Sequence, residues 1–219
     1  MTIFGAASLT EAFTDIGAAF EGDNPEVDVS LSFAGTPDLV AQIEQGAGAD
    51  ILASADEANM ERIVEGDLTE TEPQVFATNR LAIVVEPGNP KGIRGLADLA
   101  AADLIVALTT PEVPAGRYTA QMLGEAGVRI EADSLEVDVK AVLTRVTLGE
   151  ADAGIVYVTD VFAAGESVQG VEIPADQNVI ARYPIAVLAG GSETAQAFVD
   201  FVLSAEGQGL LEASGFGPP

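Results

Sequence analysis

The sequence predicts an α/β protein of two lobes, each a mainly parallel sheet flanked by helices, joined by two short hinge crossovers. Three observations carry this. Strand-like and helix-like segments alternate along the whole chain, an order that builds sheets with helical connections. The 219 residues exceed one average domain and fall short of two large ones. No segment rich in Gly, Ser or Pro separates the halves, so lobes sharing strand-like crossovers explain the chain better than two domains on a linker.

The elements follow in order. "TIFGAAS" reads as a short strand, and Leu9, Phe13, Ile16 and Phe20 then recur at steps of 4, 3 and 4, one face of an amphipathic helix. "VDVSLSF" alternates Val27, Val29, Leu31 and Phe33, a strand with one buried face. "TPDLVAQIEQG" is a helix with Pro37 at its first position and Gly46 at its end. "ADILASA" is the next strand and "NMERIVEGD" a short helix. "RLAIVVEP" and "DLIVALTTP" are strands, a helix starts at about Arg117, and "VKAVLTRV" places Val139, Val142, Leu143 and Val146 on one helix face. "AGIVYVTD" and "YPIAVLAG" read as buried strands, and "ETAQAFVDFVLSAEGQGLLEASGF" closes the chain as helices. Crossovers near residues 77 to 82 and 181 to 186 divide the chain into 1–79 plus 184–219 and 80–183.

Composition removes several chemistries. The chain has no Cys and no His, which excludes Cys/His and Ser/His/Asp catalysis, thiolate zinc sites and imidazole metal sites together. No apolar run approaches the length of a membrane span, and neither GxGxxG after a strand nor a P-loop occurs. The 35 acidic and 9 basic residues give a net charge of −26, which argues against nucleic acid or an anionic membrane as partner. No secretory signal is visible ahead of the first strand at Thr2, so the chain reads as a mature or trimmed form.

What remains is a set of helix starts, where unpaired backbone N–H groups and the positive dipole end bind anions without charged side chains. In "ASLTE", Ser8 stands as an N-cap with Glu11 at the capping-box position. In "FAGTPDL", Thr36 caps a helix that Pro37 begins. "PEVPAGRY" brings Ala115 and Gly116 into a turn before a helix, and "EVDVKAVL" offers Asp138 as a cap ahead of Val139. Taken singly these are ordinary caps and turns, and Tyr157 in "GIVYVTD" an ordinary half-buried strand tyrosine. As a set they stand where open α/β sheets place their ligands.

At these segments the chain resembles the periplasmic molybdate-binding proteins, the solute receptors of molybdate and tungstate ABC importers. "GAASLTEAFTDIGAAF", "SFAGTPDLVAQIEQGAGADILASAD", "PEVPAGRY", "DVKAVLTRVTLGEADAGIVYVTD" and "YPIAVLAGG" match in order from about residue 3 to 217. The resemblance implies a type II-like periplasmic-binding-protein fold with the ligand in the cleft between the lobes, no catalysis and no cofactor. It implies an oxyanion, molybdate or tungstate, held by Ser8, Thr36, Ala115, Val139 and Tyr157 through hydroxyls and backbone N–H groups, with no direct cation ligand. It also implies a membrane permease as partner, a monomer, and a periplasmic or extracytoplasmic location, with a lipid anchor on the full-length form left open. One departure is that Thr36 stands where the family commonly has serine, and Pro37 after it has no N–H to give. Sulfate, phosphate or a small organic anion in the same fold, and a carboxylate-based hydrolase, are the alternatives.

A surface this acidic also suits adaptation to high salt. Self-repulsion among the −26 charges weakens as salt screens it, so adaptation predicts a melting temperature that rises with potassium chloride, and a flat curve refutes it.

Overall fold

A computed structural model describes residues 1–219. The elements are β1 Thr2–Ala6, α1 Thr10–Asp23, β2 Ser30–Ala34, α2 Thr36–Glu44, β3 Ile51–Ala53, α3 Glu57–Glu65, β4 Gln74–Val85, β5 Val106–Thr109, α4 Pro114–Ala126, β6 Ser134–Glu136, α5 Val139–Thr147, β7 Ala153–Tyr157, α6 Val158–Ala164, β8 Gln169–Glu172, β9 Ile180–Val187, α7 Glu193–Leu203 and α8 Ala205–Ala213. They fall into two compact units, Met1–Thr78 with Arg182–Pro219, and Asn79–Ala181. The chain passes between units inside β4 and inside β9, so both connections are strand rather than linker.

In the first unit β2, β1 and β3 run parallel, and β9 adds antiparallel to β3 through Ile51 opposite Val187 and Ala53 opposite Ile185. Alternation along β1 sends Phe4 to one face, where it joins Leu39, Val40 and Ile43 of α2 and Met60 and Ile63 of α3. The opposite face carries an aromatic core. Phe13 of α1 lies 5.6 Å from Phe76 and 6.1 Å from Phe198 of α7, and Phe20 lies 5.2 Å from Phe198 between ring centroids. The expected α1 stripe is the reason: Leu9, Phe13 and Ile16 are fully buried and Phe20 is 3% exposed. The strand read from Val27 to Phe33 is shorter than its alternation suggests, because pairing with β1 begins only where Ser30 meets Thr2.

In the second unit β6, β5 and β7 are parallel, while β4 pairs antiparallel with β7 and with β8. The expected mainly parallel sheets are therefore mixed, and the antiparallel pairs all involve β4 and β9, the strands that leave one unit for the other. α5 packs closely on β7: a Cβ on Gly154 would stand 2.4 Å from Val142 Cγ1. Three further readings change. The helix expected from about Arg117 begins at Pro114, the proline serving as its first residue. The strand ending in "VYVTD" stops at Tyr157, where Asp160 accepts from the Tyr157 N–H at 3.0 Å and starts α6. The short edge strands β6 and β8 have no sequence signal of their own. No helix is long and apolar enough to cross a membrane.

Phe198 is fully buried and touches both Phe13 and Phe20, so Phe198→Ala should cost roughly 3–5 kcal/mol in denaturant unfolding. Leu148→Ser, at a site 66% exposed, should stay within about 0.5 kcal/mol and serves as the contrast.

Candidate functional site

In the first unit the site is prepared by strand register. Ala6 pairs with Ala34, and Gly5 with both Phe33 and Ala53, so three parallel strands end at one level. From each end the chain turns into helix: a 3₁₀ turn over Ala7–Leu9, α2 at Thr36, and the loop Ser54–Asp56 before α3. Ser8 and Thr36 are thereby brought to one edge of the sheet, both buried, 4% and 1% exposed.

Neither is the cap that its sequence suggests. Ser8 sits within the 3₁₀ turn; the residues preceding that turn and α1 are Ala6 and Leu9, and neither makes a side-chain cap bond. The capping box with Glu11 does not form, because the turn has already begun before Ser8. Its hydroxyl instead meets the Tyr183 hydroxyl at 2.9 Å. Thr36 is the first residue of α2 rather than its cap; the Gly35 carbonyl accepts the first helical bonds, from Asp38 and Leu39. Thr36 Oγ1 accepts from the Ala55 N–H at 3.4 Å. Ser54 differs from both, since its hydroxyl is spent within its own loop, donating to Asp56 O at 2.7 Å and accepting from Asp56 N at 3.2 Å.

In the second unit β5, β6 and β7 also end together, with Thr109 opposite Glu136 and Ala107 opposite Gly154. Ala115 lies inside the first turn of α4, not in a turn before it. The first bond of that helix is Arg117 N to Val113 O at 3.0 Å, so the Ala115 and Gly116 N–H groups precede it and belong to the orphan donors of a helix start. Gly116 is required here: a Cβ would stand 2.0 Å from Thr110 O, so only glycine lets the turn lie on the end of β5. At α5 the expected cap forms, Asp138 accepting from Ala141 N at 2.8 Å, and Val139 is the first helical residue. Tyr157 is 1% exposed, more deeply placed than a half-buried strand tyrosine. Ala115, Val139 and Tyr157 therefore gather at the carboxyl edge of one sheet, as Ser8 and Thr36 do on the other.

Three features of these edges have no local sequence signal. Asp160, fully buried, accepts from Tyr157 N and pairs with Lys140 Nζ at 3.3 Å, so one carboxylate ties the start of α6 to the start of α5 and offsets the cation nearest Val139. The Thr109 hydroxyl, on a residue 4% exposed at the end of β5, has no protein partner, the kind of buried polar atom that needs a reason. Tyr183 reaches Ser8 across 175 positions of sequence. What both edges offer is hydroxyls and first-turn N–H groups, a donor set suited to an anion whose oxygens only accept; the buried carboxylate of the first-unit edge, Asp56, caps α3, accepting from Asn59 N at 3.0 Å and Asn59 Nδ2 at 2.9 Å.

Comparison with known proteins gives this arrangement its context. Residues 1–217 match the family described as bacterial extracellular solute-binding protein. The chain is 42% identical to the molybdate-binding protein ModA of Mycobacterium tuberculosis over 221 aligned positions, covering all of this chain and 85% of that protein. It is 32% identical to ModA of Escherichia coli, covering 99% of this chain and 88% of that one. The periplasmic molybdate-binding protein of Azotobacter vinelandii shares the fold, with a TM-score of 0.84, 19% identity and coverage of 100% and 99%. With a family match over almost its whole length, two buried strand-end edges and a fold shared with a periplasmic receptor, the chain belongs to the bacterial extracellular solute-binding proteins.

Proposed function

We propose that the protein captures molybdate outside the cytoplasmic membrane and delivers it to the permease of an ABC importer, acting as a monomer and without a cofactor. Tungstate, with the same charge and tetrahedral shape, is a second ligand of the same site. The observation that carries the reading is the position of Ser8, Thr36, Ala115, Val139 and Tyr157, every one buried at the carboxyl edge of parallel strands. The identity with a molybdate-binding relative over the full chain supports the choice of oxyanion. No catalytic role is proposed.

The donors that each edge presents are of the kind that suits a tetrahedral dianion. Its four oxygens are acceptors, and hydroxyls with helix-start N–H groups bind them at charge-assisted strength, about twice that of neutral hydrogen bonds. Pro37 gives no N–H, so at the start of α2 the Thr36 hydroxyl is the contact to be expected. Fixed neutral donors discriminate by size, because a smaller oxyanion such as sulfate cannot reach all of them at once. Phosphate, partly protonated near neutral pH, brings a donor hydrogen to a set made of donors.

Titration calorimetry with molybdate, tungstate, sulfate and phosphate tests the reading. Heat with the first two and weak or absent binding of the others is expected; no heat with molybdate, or equal affinity for sulfate, overturns it. Ser8→Ala should weaken molybdate binding about tenfold or more, the loss of one charge-assisted hydrogen bond, while lowering the melting temperature by no more than a few degrees. A large loss of stability at unchanged affinity would make Ser8 structural.

A further inference from the structure

We propose that Tyr183 is a positioning residue for the anion site: its phenol donates to Ser8 Oγ and so turns the Ser8 proton outward as a ligand donor. The proposal rests on the reading of Ser8 as an oxyanion contact.

Two hydroxyls 2.9 Å apart share one hydrogen bond and hold two protons, so one proton lies between them and the other is directed elsewhere. Acidity decides which. A phenol, with a pKa near 10, is a far stronger donor than an aliphatic alcohol, and the serine oxygen is the better acceptor. The proton between the oxygens is therefore that of Tyr183, and Ser8 keeps its own to give.

The tyrosine is built to hold this geometry. It is fully buried, and its ring meets Phe76 edge-on at 6.3 Å and 87° and Phe216 at 5.5 Å and 79°. Those contacts fix the ring plane, and the backbone beside it is fixed as well, since the neighbouring Pro184 carbonyl accepts from Ser54 N at 2.9 Å. Ser8 has no competing local use for its oxygen, because the helical turns around it make no side-chain cap bond. Thr36 repeats the logic by another route: the Ala55 N–H occupies its oxygen, leaving the Thr36 proton to give. Ser8 and Thr36 thus each have one acceptor lone pair engaged by a protein donor, which leaves their protons to give.

A double-mutant cycle read by molybdate titration tests the role. Tyr183→Phe keeps the ring and its packing and removes only the hydroxyl. It should weaken molybdate binding by about tenfold, within the range for one hydrogen bond to a charged group, while the melting temperature falls by about 3 °C. Ser8→Ala should cost at least as much, and the double variant no more than Ser8→Ala alone, because Tyr183 acts through Ser8. Two outcomes overturn the proposal while leaving the proposed function standing: wild-type protein binds molybdate and Tyr183→Phe binds equally well, or the two losses multiply in the double variant. Wild-type protein giving no heat with molybdate removes the function reading instead, and this inference with it.

Discussion

The parallel register of the first three strands is the constraint on which the rest of the first unit depends. Parallel neighbours send their carboxyl ends to the same edge, and each must return over a sheet face by a helical segment, so helix starts collect along that edge. Pairing Gly5 with both Phe33 and Ala53 places Ser8 and Thr36 three residues, and Ser54 one residue, beyond a shared level. A slip of one residue would send Phe4 out of its core against Leu39 and Ile63, and the same slip would separate the hydroxyls. Core packing and site geometry are thus set by one choice of register.

The second unit repeats the arrangement with different residues, and the differences show which part is chemistry and which is architecture. The turns there are made by Pro114 and Gly116 at α4 and by the Asp138 cap at α5, and neither uses a hydroxyl at the helix start. At those two helix starts the donors are backbone N–H groups, with the buried Thr109 and Tyr157 at the strand ends beside them. The first unit instead supplies side-chain hydroxyls, because its two helix starts need no side-chain cap: the Gly35 carbonyl begins α2, and the 3₁₀ turn runs directly into α1. A hydroxyl not consumed in capping is free to serve a ligand. Ser54, at the same edge and satisfied inside its own loop, is the counterexample that gives this distinction content.

The alternation of strands and helices and the buried stripe of α1 were legible in the sequence because each rests on local periodicity. The five candidate residues came from the family resemblance, and the local reading of Ser8, Thr36 and Ala115 differs from the structure. Ser8 and Thr36 have the identity of caps, and the one-residue shift of each helix start that removes them from capping depends on backbone geometry that side-chain type does not encode. Ala115 was assigned to a turn because a Pro-Ala-Gly string looks like one, whereas close packing of Gly116 on Thr110 makes it a helical turn. The partners of the site were not legible at all. Tyr183 lies in a strand whose apolar run explains its burial completely, and only the fold brings its hydroxyl to Ser8. The Asp160–Lys140 pair, 20 residues apart in sequence, likewise comes together only in the fold.

A net charge of −26 and the anionic ligand proposed for these edges are compatible because salt screens the surface field. At ~0.15 M salt the Debye length is about 8 Å, so the surface carboxylates repel an approaching dianion only at close range. What the anion meets on arrival is decided by groups within hydrogen-bond distance, and near the second-unit edge the one buried carboxylate is offset by Lys140. A compensating arginine would raise affinity for every dianion alike, and would add little to selectivity among them. A donor set without net charge makes the number of oxygens that can be reached, and their freedom from protons, the quantities that separate one oxyanion from another. Holding such a set in place falls to the groups behind it: the Tyr183 phenol bonded to Ser8, and the Asp160 carboxylate bonded to Tyr157 N.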